Sequence, residues 1–370
     1  MTTFARTDRS VIGTWWWTID RVLLAGIAVL TVIGVILVIA ASPPVGVRKY
    51  HDAMHFVVRH LAFLAPSAAF LFVSSLLRPV GVLRLAMGLF VVFGLLLILT
   101  FVAGIEVNGA RRWIGSGTLR MQPSEFLKPA LAVLVAWLLA RRPGLAGLPW
   151  CVLLVVPVVG LLVLQPDVGM AAVISGVFAS QLFVAGIAWF WVFGFLGLAV
   201  LGGWGAYLFL PHFTERVNGF LDPTTLGYQI DKALRAVAGG GLFGRGPGEG
   251  VTKFQLPDAH ADFIFAATAE EYGVIACLLL VALFGFVIGR GLWRVYETRD
   301  RFIQLAASGL VVQLALQSLI NMAVNLNLMP TKGMTLPFIS YGGSSFLALA
   351  IGAGMLLALT RRGARLEEGA

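Results

Sequence analysis

Charged residues are scarce in this 370-residue chain: they make up 12% of the sequence, against 59% hydrophobic residues. A soluble globular chain carries roughly 25% charged residues, so this one has about half the usual supply of side chains for a water-facing surface. This shortage excludes a soluble protein with a single core. A bilayer is the solvent that fits, because most of the surface must face lipid.

Cysteine is also nearly absent, since only Cys151 and Cys277 occur and both sit in apolar stretches. They exclude a disulfide framework and a cysteine metal cluster, and we expect both to be buried packing residues. The formal net charge of +9 suggests nucleic acid, but the Lys and Arg residues stand singly or in pairs between apolar runs. Anchoring of loops at a membrane surface explains them better, so we expect no nucleic-acid partner.

Apolar runs are what the sequence has in abundance, and a membrane-spanning helix needs about 20 mostly apolar residues. By that rule the chain is all-α, a polytopic membrane protein with about ten transmembrane helices, of which the sixth and tenth are short. The predicted spans are 22–42, 55–77, 80–104, 124–140, 148–164, 168–183, 189–210, 263–288, 302–324 and 346–359.

We expect one membrane domain over residues 1–370. It comprises an N-terminal segment 1–21, seven spans within 22–210, a long loop 211–261, three spans within 262–360 and a tail 361–370. An even number of spans puts both termini on one side, and the short loops on that side favour the cytoplasm by the positive-inside rule. Loop 211–261 is then extracytoplasmic, and a loop of this length is usually functional.

The fourth predicted span begins with two ionisable residues, which are expensive at membrane depth and by default face a cavity or a partner. Glu125 and Lys128 are three positions apart, on one face of a helix, and Pro123 suits its first turn. One interpretation is an ion pair that only orients the helix. The other is that Lys128, with Arg111 and Arg112, lines an anion site near the outer membrane surface.

A polar break separates the fifth and sixth predicted spans and contains Asp167 within Leu-Gln-Pro-Asp-Val-Gly. As a bare pattern it indicates a turn. The alternative is that Asp167 faces the same cavity as Lys128.

The ninth predicted span carries a polar stripe in which Gln313, Gln317, Asn321 and Asn325 recur every four residues. Hydrogen bonding between helices explains such a stripe without any chemistry. It also indicates which face of this helix points into the bundle.

The long loop ends with Asp258, His260 and Asp262 at alternate positions. In an extended segment all three side chains would point the same way, which makes a metal site conceivable. The simpler interpretation is that Asp262 caps the helix that follows. Glu270 and Glu271 lie two turns further along the span and are costly unless they have partners.

The glycine-rich run 239–250 is similar to a phosphate-binding loop. It lacks the Gly-Lys-Ser/Thr ending and the strand-to-helix context that a nucleotide loop needs. We therefore exclude nucleotide binding.

Taken together, the polar segments resemble the SEDS family (shape, elongation, division and sporulation) of bacterial cell-wall proteins. The matching segments occur in family order from about residue 20 to residue 362, and details at 256–260 and 332–335 are more similar to the cell-division branch than to the elongation branch. They are 109–114, 122–128, 164–167, Arg216 with 220–223, 227–229, 241–244, 256–263, 269–273 and 330–344.

The resemblance implies a peptidoglycan glycosyltransferase that polymerises lipid II into glycan strands during cell division. It implies a bacterial inner-membrane protein with its active site on the extracytoplasmic side, Asp262 as the catalytic carboxylate, and Glu125 and Lys128 in a central cavity. The other residues that we assign to substrate binding from this match are Arg111, Arg112, Asp167, Arg216, Gln229, His260, Lys332 and Ser344.

The implied chemistry is an inverting displacement, because lipid II carries an α-linked sugar pyrophosphate and the polymer is β-linked. A base must deprotonate the acceptor hydroxyl, and Asp262 is the candidate. The departing pyrophosphate needs charge stabilisation, for which Lys128, Arg111, Arg112 and Arg216 are the candidates. A divalent cation, magnesium or manganese, held by carboxylates is an alternative source of that charge.

Two other functions are compatible with the same residues. A flippase for lipid-linked precursors would also need a polar bundle interior, and a noncatalytic scaffold of the division complex would need no base at all. The resemblance further implies a class B penicillin-binding protein as transpeptidase partner, together with other membrane proteins of the division complex.

Overall fold

A computed structural model describes residues 10–107, 110–116, 119–209, 211–221, 227–330 and 333–364. Helices dominate these ranges, with three short strands between the third and fourth predicted spans. The helices are α1 (Val11–Thr18), α2 (Arg21–Ala41), α3 (Pro43–Tyr50), α4 (His55–Ser75), α5 (Pro79–Ala103), α6 (Pro123–Arg141), α7 (Leu148–Leu164), α8 (Val168–Val184), α9 (Trp189–Phe209), α10 (Pro211–Leu221), α11 (Tyr228–Gly240), α12 (Ile264–Glu297), α13 (Arg301–Asn325) and α14 (Gly343–Leu359).

Seven helical segments are long and apolar enough to cross a membrane: α2, α4, α5, α6, α12, α13, and α7 together with the helical turn before it, Gly144–Leu164. Three shorter apolar helices complete the set, namely α8, α14 and the part of α9 from Val200 to Phe209. They correspond one by one to the ten predicted segments. The prediction of an all-α polytopic membrane protein is confirmed.

The bundle has an interior layer and a lipid-facing layer. Helix α5 exposes Val91, Leu95 and Val102, whereas Leu127 and Val133 of α6 are fully buried. Lipid tails are as apolar as these side chains, so exposed valine and leucine carry no penalty in a bilayer. Helices α6, α13 and α14 pack against one another in the centre. Both cysteines are buried and free, as predicted.

A small residue allows a close contact between α4 and α14. Gly354 has no side chain, and a Cβ there would collide with the Ser74 hydroxyl and lie 2.5 Å from the Leu71 carbonyl oxygen. Membrane helices approach closely where such small residues meet. The spacing of α4 and α14 therefore depends on the glycine.

Charged side chains tie the start of α2 to the end of α12. The Asp20 carboxylate accepts the Leu23 N–H at 2.9 Å and pairs with Arg290 at 2.7 Å and Arg294 at 2.8 Å. Burial raises the pKa of Asp20, but its hydrogen bonds and the two guanidinium charges outweigh burial and hold that pKa below its usual range. The cap and the ion pairs together fix the neighbouring ends of two spans.

A three-stranded antiparallel sheet connects α5 to α6, and sequence analysis did not predict it. Strands β1 (Ile105–Val107), β2 (Ala110–Ser116) and β3 (Leu119–Met121) pair in the order β1-β2-β3. Its register sets Glu106 opposite Arg111. The sheet places β3 directly before α6 and so beside the Glu125 turn.

The eighth predicted span, 263–288, is not one continuous helix as expected. Gly273 has a φ of +79° and interrupts α12, and a Cβ at this position would collide with the Leu242 carbonyl oxygen. Only glycine adopts this left-handed conformation without strain. Residues Ile264 to Tyr272 therefore form a separate short helix before the break.

The glycine-rich run 239–250 fills this break. The N–H groups of Arg245 and Gly246 donate to the carbonyl oxygens of Glu270 and Glu271, at 2.9 and 3.0 Å, and the Val274 N–H donates to Gly241 at 3.0 Å. These bonds replace those that the broken helix loses, which explains the glycines without a phosphate ligand.

The connection 211–261 also contains helices α10 and α11. Helix α11 is amphipathic and packs against α12, burying Ile230, Ala233 and Ala236 with Leu256 and Phe263. This packing fixes the segment that precedes Asp262.

Candidate functional site

A cavity of about 440 Å³ opens at the end of the bundle where α6 and α14 begin. Small-molecule sites commonly have volumes of about 300–1,000 Å³. Its wall combines α3, α4, the sheet, α6 and the segments that precede α12 and α14. The polar and charged residues that line it are Lys49, Tyr50, Arg59, Arg112, Arg120, Gln122, Glu125, Asp258, His260, Asp262, Thr335, Tyr341, Ser344 and Ser345. We call it the Asp262 cavity.

Asp262 is half-buried in this wall, and α13 holds its backbone in place. The side-chain amides of Asn321 and Asn325 each donate to the Asp262 carbonyl oxygen at 2.9 Å. The Asn325 oxygen accepts the Ala266 N–H at 3.0 Å. Gly333 lies against the carboxylate, because a Cβ there would be 3.0 Å from Asp262 Oδ2. Gln317, Asn321 and Asn325 of the polar stripe thus bond to neighbouring segments, as predicted. No such bond is found for Gln313 among the described residues.

The prediction that Asp262 caps the following helix is wrong. Helix α12 begins at Ile264, its cap position is Phe263, and the cap makes no side-chain hydrogen bond. Asp262 lies one residue too early for that role. Asn325 takes it over instead, by accepting the Ala266 N–H from a neighbouring helix.

Asp258, His260 and Asp262 all line the cavity, but not as an extended strand. The segment forms consecutive turns, and Asp258 has a φ of +51°. Asp258 pairs with Lys49 at 2.8 Å. Over the described ranges, no group of three His, Cys, Asp or Glu side chains could hold a metal ion. The metal-site interpretation of this triplet is therefore wrong for the described residues.

His260 is buried among aromatic rings. Its ring centre lies 4.0 Å from that of Phe56 and 5.2 Å from that of Tyr341. Burial lowers the pKa of His260 to about 4, with Asp258 opposing the shift and Lys49 adding to it. The imidazole is therefore neutral at pH 7 and adds no charge to the cavity.

Glu125 and Lys128 form the predicted ion pair, with Glu125 Oε2 2.7 Å from Lys128 Nζ. Lys128 also donates to Gln317 Oε1 at 2.8 Å. Both charged side chains are over nine-tenths buried. Glu125 lines the Asp262 cavity and Lys128 lies behind it. The Glu125 carboxylate therefore compensates the positive charge of Lys128, and Lys128 itself does not line the cavity.

Asp167 supports the cavity wall from behind. It caps α8 by accepting the Met170 N–H at 3.3 Å, and it accepts from Gln122 Nε2 at 3.0 Å. Arg112 Nη1 lies 3.9 Å from the same carboxylate and Arg112 Nε donates to the Gln165 carbonyl at 3.1 Å. The turn interpretation of Asp167 is confirmed, whereas Asp167 does not itself line the cavity.

Ser344 joins this wall to α14, because its hydroxyl accepts the Gln122 N–H at 3.3 Å. Its neighbour Ser345 bonds Thr335 through their hydroxyl oxygens, 2.7 Å apart. These contacts fix the start of α14 against the start of α6.

Four of the described residues that were predicted to bind substrate do not line the cavity: Lys128, Asp167, Arg111 and Gln229. Arg111 points out of the sheet, more than half exposed, and its Nε lies 3.4 Å from Glu106 Oε2. Gln229 is exposed on α11 and does not line the cavity. The side chain of Arg216 and all of Lys332 lie outside the described residues.

Sequence analysis missed three cations of the cavity: Lys49 of α3, Arg59 of α4 and Arg120 of β3. Arg59 lies within the second predicted span, so the rule that singled out Lys128 would also have found it. Lys49 and Arg120 carry no such signal, because a basic residue in a connecting segment usually reflects loop anchoring. Together with Arg112 they give the wall four positive charges, beside the three carboxylates of Glu125, Asp258 and Asp262.

A buried acidic pair anchors the segment before Asp262. The Glu270 carboxylate accepts three backbone N–H bonds, from Val251 at 2.9 Å, Thr252 at 2.6 Å and Lys253 at 2.9 Å. The Lys253 ammonium contacts Glu271. Both glutamates thus have the partners that their depth requires.

Comparison with known proteins gives one family and many relatives. A family model described as cell cycle protein, covering FtsW, RodA and SpoVE, matches residues 20–364. A probable peptidoglycan glycosyltransferase FtsW from Caulobacter vibrioides is 44% identical over 97% of this chain and 93% of its own length. The protein of the same name from Coxiella burnetii is 38% identical over 92% of this chain and 96% of its own length.

Solved structures share the fold. A structure described as structural coordination of polymerization and crosslinking by a peptidoglycan synthase complex matches with a TM-score of 0.78 at 30% identity, over 93% of this chain and 98% of the other. The rod shape determining protein RodA of Thermus thermophilus matches with a TM-score of 0.70 at 29% identity, over 93% and 97% of the two chains.

Proposed function

This chain belongs to the family of cell cycle proteins that comprises FtsW, RodA and SpoVE, and we propose that Asp262 is the base with which it polymerises lipid II. The activity is that of a peptidoglycan glycosyltransferase of cell division in a multi-pass membrane protein. The observation that supports Asp262 is its position: two asparagines hold its backbone carbonyl, and the residue lines a cavity together with four basic side chains.

The proposed reaction is one displacement. The acceptor sugar hydroxyl loses its proton to the Asp262 carboxylate, and its oxygen forms a bond to the anomeric carbon of the donor. The bond from that carbon to the pyrophosphate oxygen breaks, and the polyprenyl pyrophosphate leaves with the bonding electrons. Inversion follows from attack on the opposite face, and a positioned base contributes about 10²–10⁴-fold to such a step.

The second requirement is to stabilise the negative charge of the departing pyrophosphate. Arg112 lines the cavity, but its guanidinium already donates to the carbonyl oxygens of Gln165 and Pro166. Arg59 and Arg120 also line it and are suited to stabilising that charge, because a guanidinium binds phosphate oxygens in a bidentate manner. Lys128 is not, because Glu125 compensates its charge. We therefore assign a structural role to the Glu125 and Lys128 pair, at the start of α6. The described carboxylates form no three-ligand cluster, so we assign no step to a divalent cation.

The orientation that fits this function has the Asp262 cavity on the extracytoplasmic side and both termini in the cytoplasm. The distribution of Lys and Arg in the short loops supports it. The likeness to a chain of a peptidoglycan synthase complex supports a class B penicillin-binding protein as the transpeptidase partner. Other membrane proteins of the division complex are further expected partners.

The decisive experiment is polymerisation of labelled lipid II by the purified protein in detergent, with and without its partner and with a chelator. We expect Asp262→Asn to lower the rate by about 10²–10⁴-fold. Asp258→Asn is the matched control, because Asp258 lines the same cavity but pairs with Lys49. Near-normal polymer from Asp262→Asn would exclude the proposed base.

The two rival functions predict different outcomes in the same assay. A flippase produces no glycan in detergent and needs a sealed membrane to show activity. A scaffold produces none in either setting and tolerates Asp262→Asn in cells. Glycan strands formed in detergent would therefore reject both.

A further inference from the structure

A second cavity, of about 680 Å³, lies at the opposite end of the same helices. Helices α4 and α14 begin at the Asp262 cavity and end here, whereas α5 begins here. The walls are the end of α1, the turn from α4 to α5, the first turn of α5 and the segment after α14. We call it the arginine cavity.

Its lining carries four positive charges, from Arg78, Arg84, Arg361 and Arg362. No acidic side chain is among the described residues that line it. Four cations in one concavity repel one another unless an anion lies between them. The charge pattern therefore indicates an anionic ligand.

The start of α5 provides an independent indication. Arg78 occupies the cap position of this helix and makes no side-chain hydrogen bond to the first turn, and Pro79 follows. The backbone of Val80 and Gly81 lines the cavity. The first N–H groups of a helix lack partners within it and, with the helix dipole, attract anions.

One of the arginines is already fixed in position. Arg361 Nε donates to the Thr18 hydroxyl at 3.0 Å and Arg361 Nη1 donates to the Leu76 carbonyl at 3.3 Å. Burial lowers the pKa of Arg361, but a guanidinium stays charged at any physiological pH. Arg84 and Arg362 are exposed, so the anion would meet one rigid and at least two adaptable donors.

The surroundings of the cavity indicate a lipid. Helix α1 exposes Val11 and Ile12 and anchors Trp15 to Ser75 at 2.9 Å, which is typical of a helix lying at a membrane interface. Val73 and Met87 expose apolar surface one to three turns from the arginines. A headgroup in the cavity would thus have its acyl chains against α4 and α5.

We propose that the arginine cavity binds the phosphate of an anionic phospholipid, from the leaflet on the side of the chain termini. Basic pockets between spans are suited to such headgroups. A soluble phosphate is the other source of the same chemistry. This site is separate from the Asp262 cavity, and lipid binding can be measured without lipid II.

The test uses the purified full-length protein with phosphatidylglycerol, phosphatidylcholine or inorganic phosphate as probes. Bound lipid is counted by native mass spectrometry, and stabilisation is followed by thermal unfolding. We expect phosphatidylglycerol, and not phosphatidylcholine, to remain bound and to raise the unfolding temperature. Arg84→Gln with Arg362→Gln should lower phosphatidylglycerol affinity about tenfold or more.

The matched control is Arg141→Gln with Arg142→Gln, which removes the same charge at the same end of the bundle. These arginines stack on Trp137 at 5.4 Å and Trp150 at 4.5 Å, outside the cavity. We expect this variant to bind phosphatidylglycerol as the unmodified protein does. Equal losses in both variants, or equal binding of both lipids, would overturn the proposal. Displacement of phosphatidylglycerol by millimolar inorganic phosphate would instead identify a soluble phosphate site and reject the lipid.

Discussion

The Asn325 side chain donates a hydrogen bond to the backbone carbonyl oxygen of Asp262 at 2.9 Å, across 63 positions of sequence. The same side chain accepts the N–H of Ala266 in the first turn of α12. One buried amide thus connects the turn that carries the proposed base to the helix that follows it. The position of the carboxylate depends on α13 as much as on its own segment.

Asn325→Leu should therefore weaken both folding and catalysis. The buried Ala266 N–H would lose its partner, at about 1–3 kcal/mol, whereas the Asp262 carbonyl would keep its bond from Asn321. We expect a lower unfolding temperature in detergent. We also expect kcat for lipid II polymerisation to fall more than KM rises, because the base would be displaced while the cavity remains.

The control for this variant is Gln313→Leu, on the same polar face of α13. Gln313 is buried and its Oε1 has no hydrogen-bond partner among the described residues, so leucine removes an unsatisfied polar atom. Stability should be unchanged or higher. A loss equal to that of Asn325→Leu would show that hydrophobic replacement itself, and not the bond to Asp262, is harmful.

The Glu125 and Lys128 pair predicts a strong coupling between two substitutions. Each of Glu125→Leu and Lys128→Met leaves one buried charge unpaired and should cost about 3–5 kcal/mol. The double variant should recover most of that stability. The free energies of unfolding of the four proteins form a double-mutant cycle.

Polymerisation by the same four proteins separates structure from function. If the pair only stabilises the start of α6, as we propose, activity should recover together with stability in the double variant. A stable double variant without activity would assign a direct role in the reaction to one of the two charges.

Glu270 should hold the glycine-rich connection against α12. Glu270→Gln replaces one acceptor oxygen with a donor that faces the N–H groups of Val251, Thr252 and Lys253, so at least one charge-assisted bond is lost, at about 1.5–3 kcal/mol. Limited proteolysis should cut the segment 247–257 faster. Glu249→Gln, at an exposed neighbouring position, should leave the cleavage rate unchanged.

His260 predicts a loss of stability in acid. Its pKa is about 4 in the folded protein, below the 6.5 of a free histidine, so the unfolded state takes up the proton first as pH falls. The free energy of unfolding is therefore unaffected by the titration of His260 above pH 6.5 and falls between pH 6.5 and 4. The fall is at most about 1.4 kcal/mol per pH unit for one proton. Unfolding by denaturant at several pH values measures this slope.

His260→Leu should flatten that slope, because it removes the titrating ring while keeping an apolar side chain between Phe56 and Tyr341. His51 is exposed, with a φ of +55° that asparagine tolerates, so His51→Asn serves as the control. If the two variants retain equal slopes, His260 is not the group that titrates.

The spans were predictable because the requirement behind them is local. Any segment that crosses lipid must be apolar along its own length, and the predicted start of α4 and both ends of α7 agree with the structure to the residue. The Glu125 and Lys128 pair follows from helical spacing alone. These features need no knowledge of the rest of the chain.

The features that escaped prediction depend on distant partners. The break at Gly273 exists because the backbone of the run 239–250 supplies the missing hydrogen bonds. Asp262 does not cap α12 because Asn325, from another helix, takes that place. Arg120 joins the cavity only because the short sheet brings β3 to the start of α6. The spacing of residues in the sequence does not indicate these contacts between distant segments.

The glycine at position 354 has a consequence for both ends of the molecule. Helices α4 and α14 border the Asp262 cavity at one end and the arginine cavity at the other. The distance between the two helices therefore affects the width of both cavities. A methyl group at Gly354 would wedge the helices apart against Ser74. A single substitution at this helix contact would then change the widths of the Asp262 cavity and the arginine cavity together.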